Sequence, residues 1–304
     1  MKDSVFSVDG FGKTGASSRD IKFVKDITQL LQYFDPLQKT YFEYSFKVRP
    51  SGLDPAVRVL NIDGNGYSNS SPNLFQARLD IFSAILKRFS NNKKAAGIVR
   101  ALRKAAAFPM DLYFGVDSLA GQPTFAFWLV FGGVKRDGKL NYVRYDVPAI
   151  MRELLQAAGM VVPVIGRARV LNFGFDVGPD ECFYKLYYLC DKASVSAGWG
   201  AVIGRIKKEM EGVKLFIFRS ELFDREGKLR KEKLFVEFLE DIPLSSRAAL
   251  NELMPGLFAV AGTQGHLPAS CRAAAMRGLK AIGGRLALAS FEQDGTITFY
   301  IRPQ

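Results

Sequence analysis

RVLNFGFDVGPDECFYKLYYLC, Arg169 to Cys190, places two runs of strand-forming residues, Arg169 to Asp176 and Cys182 to Cys190, on either side of a polar turn. The residues that follow, AVIGRIKKEME from Ala201, carry a helical pattern. Side chains alternate across a strand, so Leu186 lies on one face of the second run and Phe183, Lys185 and Tyr187 on the other. One hairpin and one helix cannot bury their apolar faces alone, so the chain must supply further units of the same kind.

It does so on both sides. Upstream, Tyr41 to Arg49 and Ala56 to Ile62 form a strand pair about the turn PSGLDP, followed by an amphipathic helix from Asn73 to Phe89 and a basic one around Ala95 to Ala107. Asp111 to Asp117 and Thr124 to Gly132 form the next pair, with a helix from Val147. Downstream come Lys214 to Phe223, the turn DREGKLRKE, Lys233 to Glu240, and helices from Ser245 and Pro268. Arg285 to Phe291, the turn EQDG and Thr296 to Arg302 close the chain. Short turns make each pair antiparallel, and ten such strands expose their edges unless the sheet closes. The expected fold is therefore α+β: a ten-stranded antiparallel β-barrel of five repeated αββα units with helices outside. Ten strands should leave a chamber inside. Two open α+β sandwiches are the alternative.

Composition narrows the function. The 304 residues include 42 Lys and Arg against 30 Asp and Glu, a formal charge of +12, with one His and three Cys. Cys182, Cys190 and Cys271 have neither the number for a complete disulfide set nor zinc spacing, which implies a reducing compartment. The lone His266 argues against a histidine metal site or a Ser-His-Asp triad. No run approaches the roughly 18 apolar residues of a membrane span, and MKDSVFSVDGFGKTG is no signal peptide, so a cytoplasmic protein is expected. The positive charge leaves nucleic acid, an anionic surface or a phosphorylated small molecule as partners.

Placement decides among them. In a barrel wrapped by helices the outward face is apolar, so the other face lines the lumen. Leu234, Val236 and Phe238 then oppose Lys233, Phe235 and Glu237; Phe42, Tyr44, Phe46 and Val48 oppose Glu43, Ser45, Lys47 and Arg49. Arg58 faces away from Val57 and Val59, and Tyr300 and Arg302 share a face with Thr296 and Thr298. Lys and Arg suit a diphosphate, and aromatic faces suit a carbocation.

This pattern resembles the soluble aromatic prenyltransferases of the ABBA or PT-barrel type. The likeness runs from about residue 25 to the end, which makes residues 25–304 a single domain behind a flexible segment, 1–24. Local similarity is clearest in WLVFGG (Trp128 to Gly133), in FGFD followed by KLYY (Phe173 to Asp176, Lys185 to Tyr188), and in EKLFVEF (Glu232 to Phe238). The resemblance implies transfer of a prenyl group from an allylic diphosphate to a small aromatic acceptor, by a Friedel-Crafts-like alkylation. It assigns the diphosphate to Arg58, Lys185 and Lys233; Lys47, Arg49, Arg219 and Arg302 are weighed as replacements for two lysines that the family carries and this chain lacks. It gives Tyr187, Phe183, Trp128, Phe235 and Tyr300 the shielding of the cation and the lining of the substrate site, and Glu43 or Glu237 the acceptor hydroxyl. Arg58 stands where metal-independent members carry Arg, so no Mg²⁺ or other cofactor is expected, and the protein is expected to act as a monomer.

Two positions depart from the family: Ala126 and Thr298 stand where it carries Lys. Loss of two cations leaves open a catalytically silent barrel that holds a small aromatic or anionic ligand. A basic polyanion- or nucleic-acid-binding protein is the other alternative, resting on the surface runs Lys87 to Lys104 and Arg225 to Lys231. Those runs lack interleaved aromatics and any nucleic-acid-binding signature. GFGKTG (Gly10 to Gly15) lacks the spacing of a phosphate loop and reads as part of the flexible segment, while GNGYSNSSPN (Gly64 to Asn73) reads as a loop ending in a helix cap.

Overall fold

The computed structural model describes residues 6–34, 40–63, 72–89, 93–105, 111–120, 122–134, 140–142, 147–162, 170–190 and 197–303. Its strands are β1 (Thr40–Arg49), β2 (Gly52–Leu53), β3 (Val57–Asp63), β4 (Asp111–Leu119), β5 (Gln122–Val130), β6 (Gly132–Val134), β7 (Leu140–Tyr142), β8 (Val170–Val177), β9 (Cys182–Leu189), β10 (Leu215–Phe223), β11 (Leu229–Pro243), β12 (Arg285–Glu292) and β13 (Ile297–Arg302). Ten of them form one ring in the order β1, β3, β4, β5, β8, β9, β10, β11, β12, β13. Antiparallel pairing of β13 back onto β1, with Tyr300 opposite Ser45 and Thr298 opposite Lys47, closes it. β2 caps the end of β1, and β6 pairs with β7 outside the ring. Closure removes the sheet edges that an open ten-stranded sheet would expose.

The helices are α1 (Ser18–Phe34), α2 (Pro72–Phe89), α3 (Lys93–Ala105), α4 (Val147–Ala157), α5 (Ala197–Glu209), α6 (Arg247–Ala261) and α7 (Ala269–Ile282). Two apolar clusters separated by the sheet show which face meets them. The large one joins helix residues such as Val24, Leu79, Leu154, Val202, Leu257 and Leu279 to one strand face: Phe46, Val59, Phe114, Phe127, Phe175, Leu186, Leu234 and Phe299. The small one, Leu171, Tyr187 and Phe235 with Trp128, Phe216, Phe218 and Tyr300 packed on it, belongs to the opposite face. Helices therefore lie outside and the small cluster lines the lumen, as the alternation in the sequence requires.

Two boundaries differ from expectation. β11 begins at Leu229 and runs 15 residues, so Arg230 and Lys231, expected in a surface turn, are in the barrel wall. GFGKTG, read from the sequence as part of a flexible segment, lies over Gly10 to Thr14 in a 3-10 helix, Val8–Thr14, whose Phe11 is fully buried with ring centroids 6.2 Å from Tyr44 and 6.3 Å from Phe46. The fixing chemistry continues in α1, where buried Asp20 accepts from Ser17 Oγ (2.5 Å), Ser118 Oγ (2.7 Å) and the Ala120 amide (3.2 Å), tying the helix to the β4–β5 turn. Over the described residues 6–24 the expected flexible segment is thus part of the outer core. The glycine-rich loop, except for Pro72 and Asn73, and Arg169 lie outside the described residues.

Candidate active site in the barrel lumen

Register places the lumen side chains in three tiers. At one end, Lys47 (β1), Arg58 (β3), Lys185 (β9), and Lys231 and Lys233 (β11) converge. Buried Glu292 of β12 faces Lys233 across the sheet and holds its Nζ at 3.0 Å; it also pairs with Lys231, and Lys47 Nζ is 3.9 Å away. Burial pushes the Glu292 carboxyl up, but Lys233, Lys47 and Lys231 outweigh it and hold the group down at about 2. Arg58 donates from Nε to Asp117 (3.0 Å) and from Nη2 to Asp54 (3.4 Å), while its buried Nη1 has no hydrogen-bond partner. Lys185 pairs with Asp176. Buried lysines this close repel: desolvation, then Lys185 and Arg58, lower Lys233 against the pull of Glu292. An anion entering this end finds donors already gathered.

The middle tier is aromatic. Phe218 and Phe235 stack at 4.8 Å and 2°, with Tyr187 5.7 Å and Tyr300 6.1 Å from Phe235. Trp128 donates from Nε1 to the Tyr187 hydroxyl (2.8 Å), and Lys185 Nζ lies 5.8 Å from the Trp128 ring centroid. Trp128 can lie across the sheet because its neighbour is Gly174: a Cβ there would come within 2.4 Å of Phe127 O and 2.6 Å of Trp128 Cδ1. Burial raises the Tyr187 phenol well above its ordinary range and the Tyr300 phenol to about 12, so both stay neutral.

The far tier is acidic. Glu43 pairs with Arg302 (3.3 Å), Arg302 with Asp241 (3.2 Å), and Glu237 stands on β11 two residues beyond Phe235. Burial raises Glu43 despite Arg302, and burial lifts Glu237 to about 7, against Arg302 and with help from Glu43. Glu237 can therefore take or give a proton near neutrality.

No family model matches the chain, and no curated protein matches it. Among solved structures, the crystal structure of NotF prenyltransferase aligns with a TM-score of 0.53 at 10% identity, covering 94% of this chain and 92% of that one. NotF in complex with brevianamide F and DMSPP gives 0.51 at 10% identity over the same shares, 94% and 92%. AnaPT from Neosartorya fischeri gives 0.48 at 10% identity over 86% of this chain and 77% of that chain. The fold is the PT barrel.

Within this PT barrel the sequence-derived site residues separate by tier. Arg58, Lys47, Lys185 and Lys233 come together as expected. Lys231 and the organising carboxylates Glu292, Asp54, Asp117 and Asp176 were missed; Lys231 and Glu292 fall within DREGKLRKE and EQDG, which read as turns. Arg49 is half exposed at the rim and bonds Asp54 (2.9 Å). Arg302 is in the acidic tier, away from the lysines. Arg219 is not in the lumen: its guanidinium lies 4.7 Å from the ring of Tyr188, an outer-core residue, and pairs with Glu221 (2.5 Å) and Glu232 (3.4 Å). Trp128, Tyr187, Phe235 and Tyr300 form the aromatic tier with Phe216 and Phe218, which sequence reasoning missed. Phe183 stands opposite Asp176 at the lysine end, outside that tier. Ala126 also faces Asp176, and buried Thr298 faces Lys47 with its Oγ1 unpartnered. Of the four residues weighed as replacements for the two missing lysines, Lys47 occupies the site.

Proposed function

We propose that the protein transfers a prenyl group from an allylic isoprenoid diphosphate to a small aromatic acceptor inside the barrel. The observation that carries this reading is the order of the tiers along one lumen: cations, aromatic faces, then a carboxyl with a pKa near neutrality. A PT barrel, that of NotF, has been crystallised with brevianamide F and DMSPP together.

Chemistry follows the tiers. Lys47, Arg58, Lys185, Lys231 and Lys233 bind the diphosphate and stabilise the charge it gains as the allylic C–O bond breaks. The rings of Trp128, Tyr187, Phe218, Phe235 and Tyr300 surround the allylic cation, favouring it by cation-π attraction and excluding water. An acceptor ring carbon then attacks the cation, forming the new C–C bond, and the proton lost from that carbon leaves the ring. Glu237 or Glu43 accepts that proton, having first held the acceptor in position by a hydrogen bond. We include metal independence in this reading, because Asp54, Asp117, Asp176 and Glu292 are each engaged by a lysine or arginine.

Incubation with dimethylallyl or geranyl diphosphate and a panel of phenols and indoles in EDTA tests the proposal. A prenylated product resolved by mass spectrometry is expected. Donor binding without any product across the panel would favour the silent barrel.

A further inference from the structure

At the lysine end, five cations share four carboxylates among the described residues, and the pairing leaves one cation over. Asp54 is shared by Arg58 with Arg49 at the rim, Asp117 goes to Arg58, Asp176 to Lys185, and Glu292 to Lys231 and Lys233. Lys47 Nζ is 3.9 Å from its nearest carboxylate oxygen, Glu292 Oε1, beyond hydrogen-bond reach. Around it stand Lys231 and Lys233 of β11, Arg58 of β3, Glu292 of β12 and Asp54 from the turn before β3. Its neighbour on β13 is Thr298, where a charged side chain would be needed to balance it. Its side chain is only 14% exposed. An ammonium held among three like charges and away from water is most readily relieved by losing its proton. Lys233, burial and Arg58 accordingly bring the Lys47 amine down to about 6, against the pull of Glu292.

We propose that Lys47 is a neutral amine in the empty barrel and takes up one proton from solvent when a diphosphate binds, coupling donor binding to protonation at this one lysine. The inference rests on the proposed function and adds to it the charge state of the site. The step balances: the Nζ lone pair forms an N–H bond with a proton from the buffer, the phosphoryl oxygens supply the negative charge that holds the ammonium, and no bond in the ligand breaks. The unpartnered Arg58 Nη1 turns toward the same anion a donor that needs no proton. Relative to a barrel with a fixed charge at position 47, affinity should fall about tenfold per pH unit above 6.

The test is calorimetric titration with inorganic pyrophosphate at pH 7.5, in two buffers of different ionisation enthalpy, on wild type, Lys47→Arg and Lys47→Met. Changes in the ligand's own protonation are common to all three. Wild type should take up about one proton more per pyrophosphate than either variant; equal uptake overturns the proposal. Lys47→Met replaces a partly buried neutral amine with an apolar side chain of similar length and should fold at least as well as wild type, and Lys47→Arg places a permanent cation there. In parallel, NMR of ¹³C-lysine-labelled empty protein should show one resonance titrating near pH 6 and missing from Lys47→Met. If that resonance titrates in the ordinary lysine range, the inference fails whatever pyrophosphate does. Failure of pyrophosphate to bind any of the three overturns both the inference and the donor site beneath it, whereas binding with equal proton uptake overturns the inference alone.

Discussion

Glu237 lies two residues beyond Phe235 on the same strand face, and its burial there gives a stability effect that can be measured. Its folded pKa, about 7, is above its ordinary value of 4.5, so between those limits the native state binds more protons than the unfolded chain. Stability therefore falls as pH rises through that window, by at most about 3 kcal/mol. Urea unfolding at pH 4.5 and pH 7.5 should show this loss as the difference between wild type and Glu237→Gln, because the Lys47 contribution, which runs the other way above pH 6, is common to both proteins. Removing the Glu292 carboxylate acts in the other direction. Glu292→Gln leaves Lys233 and the more exposed Lys231 without their shared partner and should cost about 3 kcal/mol near neutral pH, read in the same unfolding experiment. Gly174→Ala should push β8 away from the Phe127 carbonyl as well as displace Trp128, seen as a loss of stability in urea unfolding and a change in tryptophan fluorescence. Single residues were legible where one strand face was plainly apolar. Lys233 and Glu237 follow from Leu234, Val236 and Phe238, and Lys47 from Phe46 and Val48. Arg219 was not, because β10 reads LFIFRSELF: Leu215 and Ile217 on one face and Phe216 and Phe218 on the other make both faces apolar, and the alternation carries no sign.

At the level of elements, the strand pairs could be read because period-two alternation and turn residues are local signals. Where a tertiary partner decides the structure, the local signal fails. GFGKTG has the composition of a loop, yet Phe11 is taken into the layer between α7 and β1. Phe11→Ala should cost about 3 to 5 kcal/mol by thermal or urea unfolding, where a truly flexible segment would give almost nothing. β11 is a similar case: RKEK is polar on every residue, so a turn was expected, but pairing with β10, Leu222 opposite Lys231 and Phe223 opposite Leu229, extends the strand to Leu229. That extension brings Lys231 to Glu292 at the lysine end of the lumen.

Across the whole molecule, the formal charge of +12 does not by itself indicate a partner, since the cations of the lumen stand among carboxylates. The informative feature is the gradient inside the barrel, with cations at one end, Glu43, Glu237 and Asp241 around Arg302 at the other, and an apolar aromatic tier between. Closure of the ring makes this gradient possible, because strands far apart in sequence, β1 and β11 among them, contribute to one tier. The account stands on the claim that the lysine end binds an allylic diphosphate. Each charged hydrogen bond is worth about 1.5 to 3 kcal/mol, so removing two should weaken binding about 100-fold or more. The most direct test is calorimetric titration with dimethylallyl S-thiolodiphosphate in EDTA, on wild type and on the Lys185→Ala, Lys233→Ala double variant. Saturable binding by wild type, lost in a double variant that is still folded by circular dichroism, is the predicted result. No binding by folded wild type, or undiminished binding by the double variant, would contradict it.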